Sequence, residues 1–442
     1  MWDRHKVALM AVILVITIAS AAVLYEINKV VSMPGEYMVV EGEERKLNLN
    51  LPFGILATSE SEGILLLNGM EVTTRGTSIS SGNPLLIQTT AIGNTTIEFR
   101  LFGLIPIKRM TVSVISPVKV VPGGHSIGVK LYTQGVLVVA LADFTAIDGK
   151  TYNPATEAGI MIGDSIIGIN NTKIRDSDHV IQLLGGCKGQ EIKMEIKRGR
   201  QTLIKSIKPV KSQEDGKYRI GAWVRDKTAG VGTLSFYYPE TGVFGALGHA
   251  ITDVDTGLML SVEEGEILES RIASIQKGER SRPGEIRGIF FEEQNKLGNI
   301  ERNTEFGIYG ILSKDIENEY YREPIPVALR HQVKEGPAYI LTTIDKRIEK
   351  YTIEVQKIAN QYYPEPKSMV VKVVDERLLE ATGGIVQGMS GSPIIQDGRL
   401  VGIVTHVFVN DPTRGYAIFA EWMVQSAQIE SGGDTTKVDK TE

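Results

Sequence analysis

From Met33 to about Gln425 the apolar residues arrive in short runs cut by Gly, Pro and Asp, and many of those runs alternate apolar and polar positions. "YMVVEGEERKLNLNLP", "GVLVVAL", "GVGTLSFYYP" and "SMVVKVVD" are typical. Period two with many β-branched residues is the signature of half-buried strands, so the chain is expected to be mainly β. At 442 residues it exceeds what one hydrophobic core sustains, and two to four domains are expected. A hydrophobic share of 42% with 23% charged residues is that of a globular protein. The net charge of −5 and the lack of a long basic block exclude nucleic acid as the main partner. Cys187 is the single cysteine, which rules out an intramolecular disulfide and any cysteine-based metal site. The sequence calls for neither a metal nor a cofactor.

Ahead of this β-rich body lies "VALMAVILVITIASAAVLY", Val7 to Tyr25, 19 residues without a charge. That is about long enough to cross a bilayer as a helix. Arg4 and Lys6 on its short side favour residues 1–6 as a cytoplasmic tail, with the body outside. The run continues past the small-residue site Ala19–Ala21, which favours an uncleaved anchor over a signal peptide. Either reading exports the β-rich body.

Four segments are expected after the span. Residues 33–117 read as a small β-rich domain without evident chemistry. Residues 118–209 hold two strands, "SIGVKLYT" and "GVLVVAL", then "PATEAGIMIGDSIIGINNTKI", a short helix "DSDHVIQLLGG" and a closing strand "EIKMEIKRGR". That order, with the A-G-x-x-x-G-D-x-I-x-x-I-N pattern, resembles a PDZ domain. Such domains bind an extended peptide by adding it to a sheet edge, and a backbone loop captures its carboxylate. "GGHSIGV" stands where that loop is expected, which nominates Ser126, Ile127, Gly128 and Val129 as peptide-binding residues. Beyond a polar linker, residues 215–425 read as one β-rich domain fitting a barrel or sandwich pair. "SGGDTTKVDKTE", within 426–442, reads as a disordered tail.

The chemistry is expected in "QGMSGSP", Gln387 to Pro393. A serine hydroxyl attacks only when a base takes its proton, and that base needs an orienting group. Gly388 can turn its N–H outward, so the N–H groups of Gly388 and Ser390 form the expected oxyanion hole for a nucleophilic Ser390. Pro393 then opens a hairpin turning at Asp397-Gly398. Of six histidines, His249 in "GALGHAITD" and His406 in "GIVTHVFV" fall in this domain. His249, at the end of an apolar run between small residues, is the expected base, and His406 reads as a core or pocket-wall residue. For the third group, Asp375 closes "MVVKVVD", whereas Asp253 and Asp255 in "TDVDTG" read as a solvated turn. Asp375 is the expected orienting carboxylate.

The G-x-S-G-[GS]-P pattern resembles the nucleophile loop of chymotrypsin-like peptidases. With the apolar N-terminal run, a PDZ pattern ahead of the catalytic region, "GALGHAITD" and "VVDERLLEATGGIVQGMSGSPIIQDGRLVGIVTHVFVNDPTRGYAIFAEW", the chain resembles the stage IV sporulation protein B peptidases of endospore formers. The resemblance implies a serine endopeptidase with His249, Asp375 and Ser390 as its triad. It further implies export into the space between forespore and mother-cell membranes. The implied partners are a membrane-bound regulator of an intramembrane protease, cleaved to permit late sigma-factor processing, and the chain itself through PDZ-controlled self-cleavage. Asp375 lies only 15 residues before Ser390, closer than in chymotrypsin-like enzymes. Two other readings are an HtrA-like quality-control peptidase, whose domain order is the reverse, and a non-catalytic PDZ scaffold, which needs none of the three residues.

Overall fold

The computed structural model describes residues 4–32, 35–47, 54–79, 85–290, 295–361 and 363–428. The segment expected to be a disordered tail lies, from 429 onward, outside the described residues. Two compact units divide the chain, Met1–Val118 with Glu430–Glu442, and Lys119–Ile429.

In the first unit a helix, Arg4–Val31, precedes a five-stranded and a four-stranded sheet. Both sheets feed one core, in which Ile97, Met110 and Val112 from the larger meet Leu67 and Ile87 from the smaller. Strand Ile55–Ser59 shows the alternation read from the sequence, with Ile55, Ala57 and Ser59 buried and Leu56 and Thr58 half-buried. The structure does not support the expected membrane span: among the described residues no helix is long and apolar enough to cross a membrane. The side chains of Met10, Leu14 and Leu24 are exposed.

The second unit is built on two long strands, Ser126–Leu141 and Ala222–Tyr237, which pair along most of their length. Their halves nearer Ser126 and Tyr237 join Val243–Ala246, Val262–Gln276, Lys296–Thr304 and Gly307–Leu312. Successive pairings close a ring of six strands. A second closed barrel consists of Gly336–Thr343, Ile348–Ile358, Met369–Val373, Asp411–Phe419, Arg399–Phe408 and Pro393–Gln396. The unit thus holds two six-stranded barrels, and the short spacing between Asp375 and Ser390 does not prevent the second from closing.

The other halves of the two long strands belong to the PDZ fold. Leu137 pairs with Ser165 of strand Ser165–Ile169, which pairs in turn with Ile192–Arg198, and helix Ser177–Gly186 packs beside them. One strand therefore serves two cores. Ile127, Val129 and Leu131 point into the first barrel, whereas Val136 and Val138 point into the PDZ core. The change from odd to even positions needs a slip by an odd number of residues, and the pairing shows one of three between Tyr132 and Leu137, where five residues of one strand pass two of the other. Gly135 sits in that bulge with φ +69°, where a Cβ would lie 2.2 Å from the Ile166 carbonyl oxygen. Only glycine fits.

This arrangement corrects the assignment of Ser126, Ile127, Gly128 and Val129 as the peptide-binding loop. All four lie within the first barrel's sheet, paired on one side with 230–233, and three of them on the other with 267–269. No edge is left for an incoming strand. The preceding loop is tied down by Asn318, whose Nδ2 donates to the carbonyls of Pro122 and Gly123. Cys187 is half-buried at the end of helix Ser177–Gly186 and donates its S–H to Leu184 O.

The closing helix Ala420–Ala427 carries a buried ion pair. Glu421 is 3% exposed and accepts from the Arg330 backbone N–H and from its guanidinium at 2.9 Å, while that guanidinium also lies over the Trp422 ring. Removing one partner leaves the other buried and unpaired. Arg330→Ala is expected to lower unfolding stability by about 3 kcal/mol, measured by denaturant titration. An unchanged midpoint would show that Glu421 tolerates burial alone.

Candidate active site

Ser390 is presented by a turn built on glycine. Helix Glu376–Thr382 ends in Gly383 with φ +75°, and the chain then pairs Gln387 with Glu285 before turning. Met389 is buried and donates its N–H to Val386 O, while Ser392 bonds back to Met389 O through both N–H and Oγ. These bonds anchor the turn from below and leave Ser390 half-buried at its rim. Gly388 and Gly391 have φ of +98° and +103°. A Cβ on Gly391 would lie 2.0 Å from Thr233 O. The N–H groups of Gly388 and Ser390 donate to no acceptor among the described residues. This is the arrangement an oxyanion hole needs, with two donors two positions apart and unspent. Pro393 opens the expected hairpin, with Asp397 and Gly398 at positive φ between Gln396 and Arg399.

His249 follows Leu247 and Gly248, two successive left-handed residues with φ +71° and +74°. A leucine held there is strained by about 1–2 kcal/mol, and its buried side chain holds the turn in place. The His249 Nδ1–H donates to its neighbour's carbonyl, Ala250 O, at 2.8 Å. Since a carbonyl can only accept, Nδ1 carries the proton and the neutral ring keeps Nε2 free to accept one. Burial holds this imidazole below its ordinary value, and the bond to Ala250 opposes that shift. His406, expected in a core or pocket wall, is instead exposed and packs its ring 4.9 Å from that of His249. It too is held low, by desolvation and by the positive charge that His249 and Lys367 would place beside it.

The structure brings the Ser390 and His249 loops together without joining the two side chains. The Ser390 hydroxyl donates to Thr405 O at 2.7 Å, one residue before His406. Asp375 is not brought to His249. It caps helix Glu376–Thr382 by accepting the Arg377 N–H, accepts the Thr352 N–H at 3.1 Å, and pairs with the Arg377 guanidinium at 3.0 Å. Its burial would raise the carboxyl, but the bonds from Arg377 and Thr352 outweigh it and hold the group low. Asp253 differs from the solvated turn expected. It is buried, accepts from Asp255, Thr256 and Arg225, and fixes the loop that follows His249. Arg225 also bonds Asp255 at 2.6 Å.

The PDZ fold offers an edge elsewhere than expected. Ala222–Arg225 pairs with Ala140 and its neighbours on one side and, among the described residues, with no strand on the other. Helix Ser177–Gly186 lies beside it, with Ser177 donating to Asp226 and both segments packed on one core. A strand edge beside a helix is what a peptide needs to add to a sheet. The sequence signal was Ile220-Gly221-Ala222 at the strand's entry.

Two closed six-stranded barrels, a glycine-lined serine turn and a histidine loop define a serine peptidase, here with a PDZ fold sharing its strands. Residues 216–424 match the family described as SpoIVB peptidase S55, and residues 153–198 match the PDZ domain family. The chain thus carries a serine peptidase domain of the SpoIVB family preceded by a PDZ domain. Among curated proteins it is similar to "Putative zinc metalloprotease LL2128" of Lactococcus lactis, 35% identical over 23% of this chain and 22% of that protein. It is also similar to "Putative zinc metalloprotease CPE1693" of Clostridium perfringens, 38% identical over 16% and 20%. The chain spans about a fifth of the length of these curated relatives. Solved structures similar to it include the active form of the Rv3671c protease of M. tuberculosis, at TM-score 0.26 and 12% identity over 47% of this chain and 76% of that one. The HtrA-type protease AlgW with a decapeptide is similar at TM-score 0.25 and 13% identity over 49% and 57%.

Two outcomes are expected at the site. Gly391→Ala is expected to abolish reaction of Ser390 with a fluorophosphonate, whereas Gly398→Ala, with nothing within 4 Å of its added Cβ, leaves the rate within about threefold. With His249 as the expected base, reaction at Ser390 would need it neutral, and its folded value lies below its ordinary 6.5. The labelling rate should therefore stay at its plateau from neutral pH down through 6.5 and fall only at lower pH. A midpoint at or above 6.5 would contradict the burial of His249.

Proposed function

We propose that this chain is an exported serine endopeptidase of spore formation whose target is a membrane-bound regulator of an intramembrane protease. In this reading Ser390 attacks a peptide carbonyl, and His249 Nε2 takes the proton and returns it to the leaving amine. The Gly388 and Ser390 N–H groups hold the oxyanion. The observation that carries it is the pair of unspent N–H groups at a serine turn that packs against the loop of a base. The match to the SpoIVB peptidase family supports the sporulation role, and the uncharged 19-residue run supports export. The PDZ edge at Ala222–Arg225 is the proposed docking strand for the target or for the chain's own N-terminal region.

The resting hydroxyl must leave Thr405 O and turn to His249 before attack. The test is fluorophosphonate labelling of the full chain, located by mass spectrometry, with Ser390→Ala, His249→Ala and Asp375→Asn beside it. Label on Ser390 that His249→Ala removes is expected, and a folded chain that takes no label would sink the reading. Asp375→Asn is expected to stay within about tenfold, because the Ala250 carbonyl already orients Nδ1. A loss of about 10⁴-fold, the value for an orienting aspartate, would return that role to Asp375.

A further inference from the structure

Thr233 lies on strand Ala222–Tyr237 of the first barrel, yet its bonds go to both catalytic loops. Its backbone N–H donates to Ser390 O at 2.9 Å and its Oγ1 donates to Gly388 O at 2.8 Å. Its carbonyl accepts the N–H of Leu247, two residues before His249, at 3.3 Å. The side chain is buried, 2% exposed. Gly391 passes so close to the Thr233 carbonyl that a Cβ there would overlap it, so the two chains cannot slide independently.

We propose that Thr233 is the positioning residue of the proposed active site: it holds the Gly388–Met389 and Ser390–Gly391 peptides, which flank the peptide bearing the Ser390 N–H, and so fixes the turn that presents both donors relative to His249. This rests on the reading of Ser390 as nucleophile. The physical reason is the freedom of Gly388. A glycine at φ +98° rotates about both backbone bonds without steric penalty, and a turned Gly388–Met389 peptide would misalign the donors. The bond from Thr233 Oγ1 is the side-chain contact that holds that peptide's oxygen. On the same strand Arg225 bonds Asp253 and Asp255 beyond His249, and Asp226 accepts from Ser177 of the PDZ helix. Thr233 is thus the point where the strand reaches the reacting atoms.

The test compares the full wild-type chain with Thr233→Val, which keeps shape and both backbone bonds but loses Oγ1, and Thr233→Ser, which keeps the hydroxyl. Removing an oxyanion donor outright costs about 10²–10³-fold in kcat. For a donor held in place rather than removed, Thr233→Val is expected to lower the fluorophosphonate rate and kcat on a cleaved peptide by about tenfold or more, with KM within about twofold. Affinity for a peptide boronate, which mimics the oxyanion, should fall in parallel with kcat, and Thr233→Ser should recover to within about threefold. A valine chain that labels at the wild-type rate overturns the proposal. So does a serine chain that falls more than about tenfold below wild type, and that measurement decides by itself if the valine chain does not fold. Wild type that takes no label removes the nucleophile reading itself, an outcome distinct from either.

Discussion

The second unit depends on one constraint, that two strands are common to the PDZ fold and the first barrel. A strand shared by two cores must change which face it buries, and the bulge at Thr133–Gly135 makes that change. The hydroxyl of Thr133 donates to Gly135 O and closes the bulge from within. Burying Ile127, Leu131, Val136 and Val138 contributes on the order of 1.5–3 kcal/mol each, all lost if the register slipped by one. Because the connection is continuous strand rather than linker, the PDZ fold and the barrel that carries His249 are coupled by backbone pairing. The pairing of the two strands is unbroken from Ser126 to Tyr132 and resumes at Leu137 after the bulge.

The catalytic loops inherit their order from close approach. Gly391 against Thr233 O, Gly248 against Thr405 and Gly383 against Gly278 O each leave less room than a methyl group needs. These contacts join loops far apart in sequence, Gly248 to the strand that carries His406 and Gly391 to the strand that carries Thr233. Glycine is used here for proximity as well as for positive φ. The serine turn can therefore be held without a bulky core of its own, since Met389 beneath it is buried and Gly391 lies against Thr233 O.

Much of this was legible in the chain. Alternating runs gave the strands, the G-D turn gave the PDZ fold, and Gly388, Ser390 and His249 stood out by local pattern. The misreadings have one physical origin. "GGHSIGV" has the composition of a carboxylate loop, but whether a strand edge is free depends on partners a hundred residues away, and 230–233 and 267–269 occupy both sides. Asp375 ends a strand as expected, yet the next residues form a helix whose first turn needs a cap, and Arg377 two residues on completes the claim on its oxygens. Asp253 and Asp255 read as solvent-facing because nothing nearby in sequence is cationic, while their partner Arg225 lies 28 and 30 residues back. Thr233 was invisible for the same reason, since a threonine in "GVGTL" is an ordinary strand residue until the fold brings the serine turn against it.

The distance between the resting site and an attacking one can be judged by magnitude. The bond from the Ser390 hydroxyl to Thr405 O is a neutral hydrogen bond, worth about 1 kcal/mol net. Breaking it and turning χ1 shifts the population by a factor of about five to ten, which a bound substrate carbonyl can offset. Bringing Asp375 to His249 is of another order. It would forfeit a helix cap, worth about 1 kcal/mol, the Thr352 N–H bond and the pairing with Arg377 together. The cheaper path keeps the loops as they are and rotates one hydroxyl. In the proposed mechanism the Ala250 carbonyl is then the orienting group for His249, so the acceptor that fixes the ring's tautomer is supplied by the same loop that presents the ring.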